Sequence, residues 1–98
     1  MADACMKAIE KAGITSNDID LFVPHQANLR IIRSAQNDLN LSDDRVFVNV
    51  DKYGNTSAGS IPIALYEAVQ SGKLKKGMTV LTVGFGAGLV WGANIIRW

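Results

Sequence analysis

Residues 23 to 32, VPHQANLRII, place the chain's only histidine, His25, directly after Pro24, where an apolar run gives way to helical spacing. At a helix N-terminus the macrodipole disfavours added positive charge, so the ring is expected to serve as a neutral N–H donor. Such a donor can stabilise an enolate without first losing a proton. The plain alternative is a packed or solvent-facing ring. Asn55, in YGNTSAGS at 53 to 60, offers a second neutral donor. Asparagine beside glycine also serves simply as a turn former. Aimed at one oxygen, the imidazole and the carboxamide would form a site of the oxyanion-hole kind.

A third stretch, GFGAG at 84 to 88, brings closely spaced glycines that let backbone N–H groups approach a ligand. A dinucleotide loop must run into a helix, whereas the following LVWGANIIR has β composition, so a tight hairpin loop is the competing reading. Cys5 falls on an alanine-lined helical face with nothing nearby to lower its pKa. It reads as core rather than as a nucleophile. One histidine and one cysteine on separate elements do not make a metal site, and none is expected. Arg30 and Arg33 lie three apart on the outer stripe of a helix; solvation is the ordinary fate of such side chains, and a partner docking there should be acidic.

Ninety-eight residues make one small domain, 1–98, which buries only about 60% of the surface its unfolded form exposes. Apolar residues at 48% against charged residues at 19% specify a folded core rather than a disordered tail. Net charge is +1 with no block of like charges, which argues against nucleic acid or an anionic bilayer as partner. A single cysteine and no leader pattern fit the cytoplasm. Met78 to Ile96 are nineteen residues without a charge, nominally enough for a membrane helix. Four glycines among Val, Thr and Trp predict two strands and a loop instead, with no membrane span.

Several elements must position these groups. Cys5, Ala8, Ile9 and Ala12 recur at helical spacing with Gly13 as the stop, predicting a helix over 3–12. IDLFV (19–23) and VFVNV (46–50) read as short strands covered on both faces. Between them a helix from about Gln26 to Leu39 turns Asn28, Ile32, Ala35 and Leu39 inward. A third helix runs from Ser57 or Ser60 to Ser71, with Ile61, Ala64, Leu65 and Ala68 inward; Pro62 favours the later start. MTVLTVG (78–84) and LVWGANIIR (89–97) are the last strands. The alternation predicts an α/β fold, a mostly parallel sheet with helices and a final antiparallel strand. Ligands gather beyond the carboxyl ends of such strands, where all three candidate loops then lie.

Together, VPHQANLRII, NVDKYGNTSAGSIPIAL and GFGAGLVWGANIIRW resemble the C-terminal part of bacterial β-ketoacyl-acyl-carrier-protein synthase III, a condensing-enzyme family of the thiolase-like superfamily that starts fatty acid synthesis. The resemblance covers essentially the whole chain and implies a partial thiolase-like half. It also implies an acyltransferase in which an upstream cysteine takes an acyl group from acyl-CoA, malonyl carrier protein is decarboxylated, and the enolate attacks the thioester. His25 and Asn55 match the family's catalytic histidine and asparagine. Gln26, Ala27, Asn28, Leu29 and Arg30 match its carrier-protein and CoA segment; Arg30 would meet acidic residues or the phosphopantetheine phosphate, and Ala27 and Asn28 would lie near the pantetheine arm. Phe85, Gly86 and Ala87 match its active-site loop. Implied partners are acyl carrier protein, acyl-CoA, the chain's own N-terminal half and a second copy in a homodimer. No cofactor is implied; CoA and phosphopantetheine thioesters are substrates.

Two departures stand out. Ala87 replaces a third glycine of the family's loop while keeping the N–H that would complete the oxyanion hole. The nucleophilic cysteine and, by resemblance, the first and central strand of this half-sheet belong to a part that this sequence lacks. The chain alone is therefore expected to be inactive, with exposed sheet edges that favour dimerisation. The alternatives are a non-catalytic module that binds acyl carrier protein or CoA, and a related polyketide or quinolone synthase.

Overall fold

The computed structural model describes residues 2–26, 29–48, 60–86 and 90–98. Helix α1 spans Ala2–Ala12, strand β1 Leu21–Pro24, helix α2 Leu29–Leu39, helix α3 Ser60–Gln70, strand β2 Thr79–Gly86 and strand β3 Val90–Arg97. Short 3-10 turns lie at Ser16–Asp18 and Asp43–Arg45. Gly13, at φ +70°, ends α1, and its N–H donates to Glu10 O at 3.0 Å; a left-handed residue here satisfies a carbonyl the helix leaves open. Gly72, at φ +80°, ends α3 in the same way. Pro62 falls in the first turn of α3, as the later start requires.

The three strands form one sheet in the order β1-β2-β3. β1 runs parallel to β2, with Leu21 opposite Val80 and Pro24 opposite Val83, and β3 turns back antiparallel along the length of β2. The charge-free stretch from 78 to 96 is thus a strand pair. No helix among the described residues is long and apolar enough to cross a membrane.

Direct pairing of β1 with β2 corrects one expectation: these strands flank no vacant central position. Asp20 fixes their register, its N–H donating to Thr79 O at 2.9 Å while its carboxylate accepts from Thr79 N at 2.8 Å. The expected strand 46–50 appears as a parallel bridge from Val46 to Phe22, with Phe47 N donating to Phe22 O at 3.0 Å; Asn49 and Val50 lie outside the described residues. Pro24 has no N–H to give the next rung's bond to Phe47 O.

All four residues of β1 are buried because the sheet is covered on both faces. On one face Phe22, Leu81 and Val83 pack with Cys5 and Ile9 of α1 and with Ile32, Ala35 and Leu39 of α2. On the other, Leu21, Val23 and Val80 meet Ala64 and Ala68 of α3 together with Phe47 and Leu74. Each large side chain withdrawn from water this way contributes about 1.5–3 kcal/mol before entropy is subtracted. Ala12, expected inward, is exposed, because α1 turns only its Cys5–Ile9 stripe and the neighbouring alanines to the sheet.

Candidate functional site

His25 continues the β1 ladder. Its N–H donates to Val83 O at 2.8 Å, and its side chain is buried at the carboxyl edge of the sheet. Helix α2 is described from Leu29, with Ala27 and Asn28 before it outside the described residues, and the backbone N–H of His25 sets that residue at the end of the β1 ladder. The hairpin β2–β3 reaches the same edge. Phe85 and Gly86, expected in a loop, are paired within the strands, opposite Trp91 and Val90. Ala87 lies outside the described residues.

Asn55, like Ala27 and Asn28, also lies outside them. What flanks its stretch is described. The parallel bridge of Val46 to Phe22 directs residues 46–48 toward the carboxyl edge of the sheet. At the other end, α3 begins at Ser60, and the Ile61 side chain sits so close to the sheet that a Cβ added to Gly84 would be 3.6 Å from Ile61 Cδ1. The described flanks of the 49–59 stretch, residues 46–48 and the start of α3, therefore both lie toward the edge where His25 stands.

The resemblance groups Gln26 with the carrier-binding segment, yet its side chain is turned into the fold and only 1% exposed. Its Nε2 donates to Pro24 O at 2.8 Å and to Phe47 O at 3.2 Å. Leu29 and Arg30, by contrast, are exposed at the start of α2. Arg33 separates from Arg30 in role. Its Nη1 donates to Gln36 Oε1 at 2.7 Å and lies 3.6 Å from Asp43 Oδ1, while Gln36 Nε2 donates to Leu41 O at 3.1 Å and Asp43 Oδ1 at 2.6 Å. This network ties the end of α2 to the following turn. Gln36 escaped the sequence reading because a polar residue at helical spacing gives no sign that it is buried.

Cys5 is fully buried against the apolar face of the sheet, and burial pushes its thiol from 9.0 up to about 11. Desolvation disfavours the thiolate, the form that a nucleophile requires.

Comparison with known proteins agrees with this geometry. The family profile described as 3-Oxoacyl-[acyl-carrier-protein (ACP)] synthase III C terminal matches residues 9–98. The β-ketoacyl-[acyl-carrier-protein] synthase III of Clostridioides difficile (strain 630) is 54% identical over 98 residues, which are 100% of this chain and 30% of that protein. Crystal structures of the synthase III proteins from Thermus thermophilus and Aquifex aeolicus VF5 both superpose with a TM-score of 0.96 over 100% of the chain, at 59% and 49% identity, covering 30% and 32% of those chains. The chain thus spans about 30% of the length of the relatives it matches. It belongs to the 3-oxoacyl-[acyl-carrier-protein] synthase III C-terminal family.

Proposed function

We propose that this chain is the decarboxylating and carrier-binding part of a condensing enzyme that joins an acyl-CoA primer to malonyl carrier protein and so initiates fatty acid synthesis. His25 and Asn55 hold the malonyl thioester oxygen through N–H groups while carbon dioxide leaves and negative charge moves onto that oxygen. The resulting enolate carbon attacks the acyl thioester formed on a cysteine of the N-terminal half, and the new carbon–carbon bond forms as the acyl C–S bond breaks and the cysteine thiolate leaves. The backbone around Phe85, Gly86 and Ala87 receives the oxyanion of that second step. Leu29 and Arg30, with Ala27 and Asn28 before them, face the carrier protein and the pantetheine arm. The substrates are thioesters and no cofactor takes part; the assembled enzyme works as a cytoplasmic homodimer.

The observation that carries this reading is the meeting at one sheet edge of buried His25, the end of the β2–β3 hairpin and both flanks of the stretch containing Asn55. Such an edge is where open α/β sheets bind ligands. Cys5 takes no part, because its thiol is buried and hard to ionise.

The test uses a full-length synthase carrying this segment, whether naturally encoded or assembled on the Clostridioides difficile relative. Decarboxylation of malonyl carrier protein and acylation of the upstream cysteine are followed separately. His25→Ala and Asn55→Ala should suppress the first and spare the second. Equal loss of both half-reactions, or decarboxylation untouched by either change, would overturn the assignment.

A further inference from the structure

Pro24 creates a defect in the sheet beside His25. Phe47 N donates to Phe22 O at 3.0 Å. In an uninterrupted parallel ladder the next bond runs from the N–H of residue 24 to Phe47 O. Proline has no N–H to give, so Phe47 O lacks its ladder donor at a place where the chain is buried. The Gln26 carboxamide stands in that gap, with Nε2 3.2 Å from Phe47 O and 2.8 Å from Pro24 O.

We propose that Gln26 is a positioning residue whose buried carboxamide replaces the missing proline N–H and clamps the strand end bearing His25 to the neighbouring strand that leads into the Asn55 stretch. The inference rests on the reading of His25 and Asn55 given above and assigns Gln26 a task other than carrier contact. The clamp bonds the peptide immediately before His25 on one side and Phe47 on the other. It thereby holds the roots of the two loops at one separation, and a displacement of about 1 Å between reacting groups costs a rate on the order of 100-fold.

Three variants of the full-length synthase carrying this segment test the clamp. Gln26→Met keeps length and apolar bulk but has no donor. It should lower kcat for malonyl decarboxylation on the order of 10-fold to 100-fold, with KM for the carrier substrate and acylation of the upstream cysteine unchanged. The double variant Pro24→Val/Gln26→Met restores a backbone N–H at position 24 and should recover most of that loss. A raised KM with unchanged kcat would return Gln26 to the carrier surface and overturn the clamp, as would a loss that the double variant fails to recover. Gln26→Asn, one methylene too short to reach Phe47 O, should resemble Gln26→Met; if neither variant folds, the residue is a scaffold element and the proposal falls.

Crystal structures of the folded variants decide the clamp independently of catalysis. Widening between the Pro24 and Phe47 carbonyls in Gln26→Met supports it, and an unchanged separation overturns it. That holds even where His25→Ala proves silent and the reading of His25 itself is lost.

Discussion

Asp20 and Thr79 hold each other twice, through Asp20 N to Thr79 O at 2.9 Å and Thr79 N to the Asp20 carboxylate at 2.8 Å. The pair stands one residue before β1 and at the first residue of β2, so it sets the register that brings His25 to Val83 at the opposite end. A one-residue slip would turn the alternate residues of β1 to the wrong face. Asp20→Ala should therefore destabilise the chain by about 1–2 kcal/mol, since a hydrogen bond to a charged acceptor is lost and a backbone N–H is left unanswered. Urea unfolding at fixed m-value checks this, and a change within about 0.5 kcal/mol would show that strand packing alone fixes the register.

His25→Ala and Asn55→Ala should each raise the decarboxylation barrier by about 2.7–4 kcal/mol, as expected for one lost oxyanion donor. The double variant should cost less than the sum, because the two donors serve one oxygen and act as a unit. Stopped-flow measurement of carbon dioxide release reads the step directly, and strict additivity would mean that the two side chains work at separate places.

Arg30 and Arg33 should part company under charge reversal. Arg30→Glu is expected to raise KM for the carrier substrate several-fold, with a smaller effect on kcat. Arg33→Glu should leave KM alone and instead lower the melting temperature, because Arg33 is engaged with Gln36 and Asp43. Its ion pair is exposed, so the stability loss stays near or below about 1 kcal/mol. Steady-state kinetics and thermal melts on both variants distinguish docking from bracing.

Cys5 predicts an alkaline limit on stability. Its thiol rises from 9.0 to about 11 on folding because burial removes water from the thiolate. Above pH 9 the unfolded chain loses this proton while the folded chain keeps it, so the unfolded state binds fewer protons and stability falls as pH rises. The contribution is complete below pH 9 and is lost by about pH 11, on the order of 2 kcal/mol in all. Cys5→Ala should remove this slope in urea melts between those limits. Parallel alkaline curves for the two proteins would contradict it.

Apolar periodicity and stop signals were sufficient to read the helices, both strands of the hairpin and the carboxyl-edge location of His25. Gly13, Pro62 and Gly72 mark element ends because their backbone restrictions are local, and locality is what a sequence displays. The Asp20–Thr79 pair, the burial of Gln26 and the Gln36 network were not legible, since each joins residues whose meeting depends on the finished sheet or turn. Of the strand expected at 46–50, Val46 bridges to Phe22 in parallel, and Asn49 and Val50 lie outside the described residues. The backbone bond from His25 to Val83, which keeps His25 with the sheet, leaves no trace in composition.

The missing N–H that Pro24 brings to the β-ladder also matters for anyone transplanting this edge. Left to ordinary peptide pairing, two adjacent parallel strands would zip together past the imidazole and bring the loops that follow into contact. Here the residue before the imidazole offers Phe47 O no N–H, and the Gln26 amide is the fastener in its place. Pro24, His25 and Gln26 should therefore move into another scaffold as one block together with the Phe47 strand, because the tripeptide without its neighbour would have nothing to fasten.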